Sequence, residues 1–205
     1  MTNDDDIRLM RDVLDEPLVR PLDQGDVEIV RRELGRFPRG MVAVGARCAC
    51  GNPLAVITRP LVDGRTPFPT TCYLTSPEAV KAVSRLEAAG RMAQYTRQVQ
   101  EDSGLRSAYE RAHRLYLAFR HALAVRLGDS EDHIEGISAG GMPVRVKCLH
   151  ALVGQSLVMG RGVNPIGDAV LDEIAGEFAP NICRCSIRRD EIGNPAGESG
   201  KGKVV

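Results

Sequence analysis

Tryptophan is absent from the 205-residue chain and aromatic residues make up only 4% of it, so it offers no row of rings on which single-stranded nucleic acid could stack. An excess charge of either sign is also missing. Lys+Arg and Asp+Glu each total 27, for a formal net charge of zero, so no electrostatic footprint for a polyanion or an anionic membrane results and no nucleic-acid partner is expected. Long apolar runs are lacking, because charge or glycine interrupts each one short of the roughly 18 residues that a membrane span needs. The acidic start Asp4-Asp5-Asp6 is unlike a secretory signal, and the expectation is a soluble, cytoplasmic protein with reduced thiols. Gly-x-x-x-x-Gly-Lys-Ser/Thr, Gly-x-Ser-x-Gly and His-Glu-x-x-His patterns do not occur, so nucleotide hydrolysis, serine hydrolysis and zincin proteolysis lack their usual marks.

What is present alternates between two periods. Apolar residues at helical spacing predict a short helix over Asp4 to Leu14, ended by Pro17 and Pro21, and a second over Asp26 to Leu34 with Gly35 as its C-cap. The β-branched runs Met41 to Arg47 and Leu54 to Arg59 read as paired antiparallel strands. A rigid loop through Pro60, Asp63-Gly64 and Pro67-Phe68-Pro69 leads to a third strand at Thr70 to Leu74. Ser76-Pro77-Glu78 starts a helix that Gly90 closes; Arg91 to Gln100 is a further helical stretch, and Leu105 to Leu127 is the longest helix. Val144 to Met159 and a segment capped by Asp168 and running to about Phe178 complete the set. The fold class is therefore α+β, a small antiparallel sheet of about three strands flanked by five or six helices. Residues 1–25 form an N-terminal helix and linker, 26–180 a single domain, and 181–205 a cysteine-containing tail whose glycine-rich end, from Gly193, cannot bury enough to order itself.

Six cysteines, at positions 48, 50, 72, 148, 183 and 185, carry the chemistry. Cys48-Ala49-Cys50 ends the first strand, where residues two apart point to one side and both thiolates can face a single metal ion. Cys148 and His150, beside Lys147, follow a Gly140-Gly141 turn. On a regular helix they would diverge by about 200 degrees, so they converge only if the helix begins at Lys147 or later. Cys183-Arg184-Cys185, if extended, also presents both sulfurs to one side and could complete a four-cysteine site with Cys48 and Cys50. Burial of Cys72 in the third strand, and ring packing or solvation of His113 and His121, are the roles expected of those residues.

Several motifs, in order, carry a resemblance: Arg47-Cys48, Pro67-Phe68-Pro69-Thr70 with Tyr73-Leu74-Thr75, Gly140-Gly141-Met142-Pro143, Val146-Lys147-Cys148-Leu149-His150-Ala151-Leu152-Val153, and Gly162-Val163-Asn164-Pro165-Ile166-Gly167-Asp168. Over roughly residues 26–175 the chain resembles the bacterial, largely actinobacterial family named domain of unknown function 501. That resemblance implies a gene context near a septum-formation initiator and an exopolyphosphatase. It also implies that a Cys commonly stands where this chain has Ser76, and often a His where it has Gln155. If those positions hold metal in relatives, Cys50 or Cys72 compensates here or the site is lost.

The leading expectation is a zinc-binding domain whose metal ligands are Cys48, Cys50, Cys148 and His150. A cysteine-dependent enzyme is the alternative, with Cys148 as nucleophile, a His base and the Gly140-Gly141 amides as an oxyanion cradle. A third reading is a non-catalytic adaptor whose helical surface binds a protein partner in a cell-division or polyphosphate context.

Overall fold

The computed structural model describes residues 3–20 and 22–187; the glycine-rich end expected to lack order lies outside these residues. Among these residues seven helices flank a three-stranded antiparallel sheet. In chain order the elements are α1 (Asn3–Val19), α2 (Gln24–Leu34), β1 (Met41–Arg47), β2 (Pro53–Thr58), β3 (Leu61–Val62), β4 (Thr66–Pro67), β5 (Cys72–Leu74), α3 (Pro77–Ala88), α4 (Arg91–Glu101), α5 (Ser103–Leu127), α6 (Leu149–Met159) and α7 (Pro165–Glu173). A single 3-10 turn at Asp132–Ile134 lies between α5 and α6.

The sheet order is β1-β2-β5, with β2 in the centre and buried along its whole length. Its register pairs Val44 with Val56 on one side and Val56 with Tyr73 on the other. Central placement explains why Pro-Leu-Ala-Val-Ile-Thr shows no polar alternation, since both of its faces meet protein. The stretch expected as a rigid loop contains a small hairpin instead. Val62 pairs with Thr66 around Asp63 and Gly64, both in the left-handed region, at φ 53° and 69°. Only Asp, Asn or Gly accept that conformation without strain.

Helix α6 lies directly on the sheet. A side chain at Gly154 would come within 2.6 Å of the Cys72 carbonyl oxygen on β5, so glycine is what allows the two backbones to approach. The 25-residue helix α5 forms the back wall of the core, burying Tyr109, Leu115, Tyr116, Phe119 and Leu123, with α1 packed along it. Tyr116 ties this helix to the sheet: its hydroxyl accepts from the Thr71 amide at 2.6 Å and donates to the Pro69 carbonyl at 3.0 Å.

Several boundaries differ from the sequence expectation: α7 ends at Glu173, short of Phe178, β5 begins at Cys72, and three further differences have a clear cause. Helix α1 passes through Pro17 and ends at Val19; a proline this close to a C-terminus disturbs only the final turn. Helix α7 begins at Pro165 under an Asn164 cap, and not at Asp168. The Asn164 side chain accepts from the Ile166 and Gly167 amides, both at 3.0 Å, while Asp168 accepts from the Gly162 amide at 2.6 Å. Helix α6 begins at Leu149, five residues after the expected Val144. The intervening amides have other acceptors: Arg145 and Lys147 donate to the Gly141 and Gly140 carbonyls at 3.2 and 2.7 Å, and Val146 donates to Thr96 Oγ1 at 3.0 Å. Those bonds hold residues 145–147 outside a helix, and α6 starts at Leu149, whose own amide donates to Glu87 Oε1 at 2.7 Å.

Candidate metal centre

The late start of α6 decides the geometry of Cys148 and His150. Cys148 is the N-cap, with extended backbone at φ −153° and ψ 111°, so the divergence of a regular helix does not apply and thiol and ring come together. They meet a third residue that the sequence reading did not include. Glu87, near the C-terminus of α3, accepts from the Leu149 amide through Oε1 at 2.7 Å, capping α6 with a carboxylate where the helix dipole favours one. The same oxygen lies 3.1 Å from His150 Nδ1. His150 Nε2 faces the Val80 carbonyl at 3.3 Å and Ser84 Oγ at 3.2 Å. Val80, Ser84 and Glu87 recur at helical spacing on α3, so one face of that helix frames the ring. One ligating atom each from Glu87, Cys148 and His150 lies within 4.8 Å of the others. The Cys148 thiol, with the charge of Glu87, raises the pKa of the imidazole to about 9 against the opposing effect of burial.

Cys48 and Cys50 do not join them. The expected set of Cys48, Cys50, Cys148 and His150 is divided between two groups, because the first pair converges with Cys183 and Cys185 within 4.8 Å. Each pair is held by its own backbone. At the end of β1 the chain turns tightly, the Gly51 amide donating to the Cys48 carbonyl and the Cys48 amide to the Asn52 carbonyl, both at 2.8 Å. Arg47 braces this turn through a bidentate pair with Asp26, at 2.7 and 2.8 Å, and a bond to the Gly51 carbonyl at 2.9 Å. The first residues of the expected tail lie against it. Ala49 donates to the Pro180 carbonyl at 3.0 Å, the buried Asn52 amide group donates to the Ile187 carbonyl at 2.6 Å, and Ser186 donates twice to Glu78 Oε1, at 3.0 and 3.1 Å.

Inside this frame Cys50 Sγ and Cys185 Sγ are 3.7 Å apart. Backbone amides also reach the sulfurs. The Cys185 amide, followed by the Cys50 thiol, holds Cys183 below the usual thiol range. Burial raises Cys50 despite the Asn52 amide, and burial raises Cys185 strongly. In each pair one sulfur, Cys50 in the first and Cys183 in the second, accepts from the amide two residues on, a contact that favours the thiolate at a metal centre.

The remaining candidates have structural partners. Cys72 is fully buried and burial drives its thiol pKa far up. Ser76 caps α3, accepting from Ala79 at 3.3 Å, and Gln155 is buried between the Ala112 carbonyl and Asn164 Nδ2, at 2.9 and 2.7 Å. His113 bonds Ser138 at 2.8 Å and His121 bonds Glu131 at 2.9 Å. Gly140 and Gly141 are left-handed, and side chains there would meet Leu152 and the Arg145 carbonyl. Close packing thus accounts for both glycines. No helix among the described residues is long and apolar enough to cross a membrane.

An α+β scaffold with two thiol-containing clusters is thus the class of protein that fold and sites define. The family model described as "Protein of unknown function (DUF501)" matches residues 44–172, and the chain belongs to that family. Cys48, Cys50, Glu87, Cys148 and His150 fall within the matched span, and Cys183 and Cys185 lie beyond it. No curated protein and no solved structure was found to match.

Proposed function

We propose that the chain is a metal-binding protein that holds one zinc ion through Cys48, Cys50, Cys183 and Cys185. The observation that carries this reading is the convergence of four thiols within 4.8 Å from segments well over a hundred residues apart. A tetrahedral ion with Zn–S bonds of about 2.3 Å requires sulfurs about 3.8 Å apart, and the Cys50–Cys185 separation of 3.7 Å supports that spacing. A set of four thiolates saturates zinc and leaves no open position, so the role is structural. The ion fastens the segment around Pro180–Ile187 to the end of β1, adding its binding energy to that of the fold.

Elemental analysis of protein purified without added metal tests the reading. One tightly held zinc per chain is expected, lost on Cys183→Ser/Cys185→Ser substitution or on chelation, with a fall in melting temperature in both cases. A metal-free protein whose melting temperature does not respond to zinc would overturn it.

A further inference from the structure

The second cluster goes beyond the tetrathiolate and does not depend on it. His150 Nε2 faces the Val80 carbonyl, which can only accept, and Ser84 Oγ, which can do either; the tautomer that pairs the carbonyl has the ring proton on Nε2. In the neutral ring the Nδ1 lone pair then points towards Glu87 Oε1, 3.1 Å away. Two acceptors this close need a proton or a cation between them. A proton is one solution; a metal ion is the other, and the third group, a thiol, is a metal ligand by chemistry. Ligand atoms 2.0–2.1 Å from a tetrahedral ion sit about 3.3–3.4 Å apart, within a few tenths of an ångström of the observed gap.

Both oxygen and nitrogen donors are also oriented from behind. The Leu149 amide holds Glu87 Oε1 at 2.7 Å, and the Val80 carbonyl with Ser84 Oγ fixes the ring, the kind of outer support that metal-ligating residues have. The side chains of His150 and Glu87 are 24% and 23% exposed, so solvent reaches the cluster from one side. The geometry points to a second metal site, in which Glu87, Cys148 and His150 bind an exchangeable divalent transition-metal ion and leave a fourth position open to water or a small anion. The mixed sulfur, nitrogen and oxygen set suits borderline ions such as zinc, cobalt(II) or iron(II) better than magnesium or calcium. Three protein ligands with one open position are the arrangement of catalytic sites, in contrast to the closed set of four thiols.

Cobalt(II) is the probe, titrated into full-length protein stripped of metal and followed by its ligand-field and sulfur-to-cobalt absorption. Wild type should take up about two ions, the Cys183→Ser/Cys185→Ser variant one, and His150→Gln one. The ion retained by Cys183→Ser/Cys185→Ser should change its spectrum when azide is added, because azide enters the open position. Glu87→Gln, which keeps a side-chain oxygen able to accept from the Leu149 amide, should bind that ion at least tenfold more weakly. Circular dichroism checks that each variant is folded. Unchanged cobalt uptake and spectrum in folded His150→Gln and Glu87→Gln would overturn the site. One ion lost in His150→Gln and none in Cys183→Ser/Cys185→Ser would uphold it while removing the tetrathiolate.

Discussion

Substituting Asn164 by Ala tests whether the Gly162–Asp168 segment is held by one side chain. Asn164 is fully buried, its Oδ1 accepts from the Ile166 and Gly167 amides at 3.0 Å, and its Nδ2 donates to Gln155 Oε1 at 2.7 Å. Loss of the N-cap costs about 1 kcal/mol. Orphaning Gln155 Oε1, whose own amide group is committed to the Ala112 carbonyl, adds about 1–3 kcal/mol. Together these give about 2–4 kcal/mol, which for a chain of this size corresponds to roughly 4–16 °C in melting temperature. Urea unfolding of Asn164→Ala, Gln155→Leu and the double variant measures the coupling. The double variant should be less destabilised than the sum of the two singles, because each single leaves the other partner unsatisfied. A single-variant loss below about 1 kcal/mol, or strict additivity, would refute the shared network.

Three other outcomes follow from the same structure. Glu33 is half-buried with its Oε2 shut off from solvent, and burial together with the neighbouring Glu78 charge raises its pKa from 4.5 to about 8. The protonated form is therefore favoured on folding, the stability is present below pH 4.5 and is lost as pH rises through 8, so Glu33→Gln should change the melting temperature little at pH 4.5 and raise it at pH 9. Arg120, 2% exposed, joins α5 to Glu131 and to the Ile134 and Ile137 carbonyls. Arg120→Met should cost about 3–5 kcal/mol in urea unfolding, with faster amide hydrogen exchange across residues 131–137. A side chain at Gly167 would come within 2.3 Å of the Leu152 carbonyl oxygen on α6, so Gly167→Ala should destabilise by about 1–3 kcal/mol, reversing the usual gain of Ala over Gly inside a helix.

The helices and main strands were legible because their signals are local. Gly35 and Gly128 sit at helix ends in the left-handed conformation, and Ser76-Pro77 opens α3 as its cap chemistry requires. The start of α6 was less legible, since Val144, Val146 and Leu149 continue an apolar pattern while the amides of Arg145, Val146 and Lys147 are taken by Gly141, Thr96 and Gly140. Apolar spacing records what a side chain prefers and says nothing of a distant hydroxyl competing for an amide. The Cys-x-Cys and Cys-x-His spacings indicated that each pair could converge, but which pairs meet depends on tertiary placement. Glu87 had no local mark, because it lies on another helix, 63 residues before His150.

Helix α3 shows why the four expected ligands fall into two groups. Glu78 in its first turn holds Ser186, the residue after Cys185, and Glu87 near its last turn holds Leu149 and His150. Those carboxylates are nine residues apart, about 14 Å along the axis at 1.5 Å per residue, several times the edge of a tetrahedral metal site. A single site cannot span that length, and each pair meets its further partners locally, Cys183 and Cys185 at one end and Glu87 at the other. At that distance perturbations of the two clusters should add nearly independently. A change of metal content at one end that altered affinity at the other would therefore require movement of α3 or of α6 on the sheet.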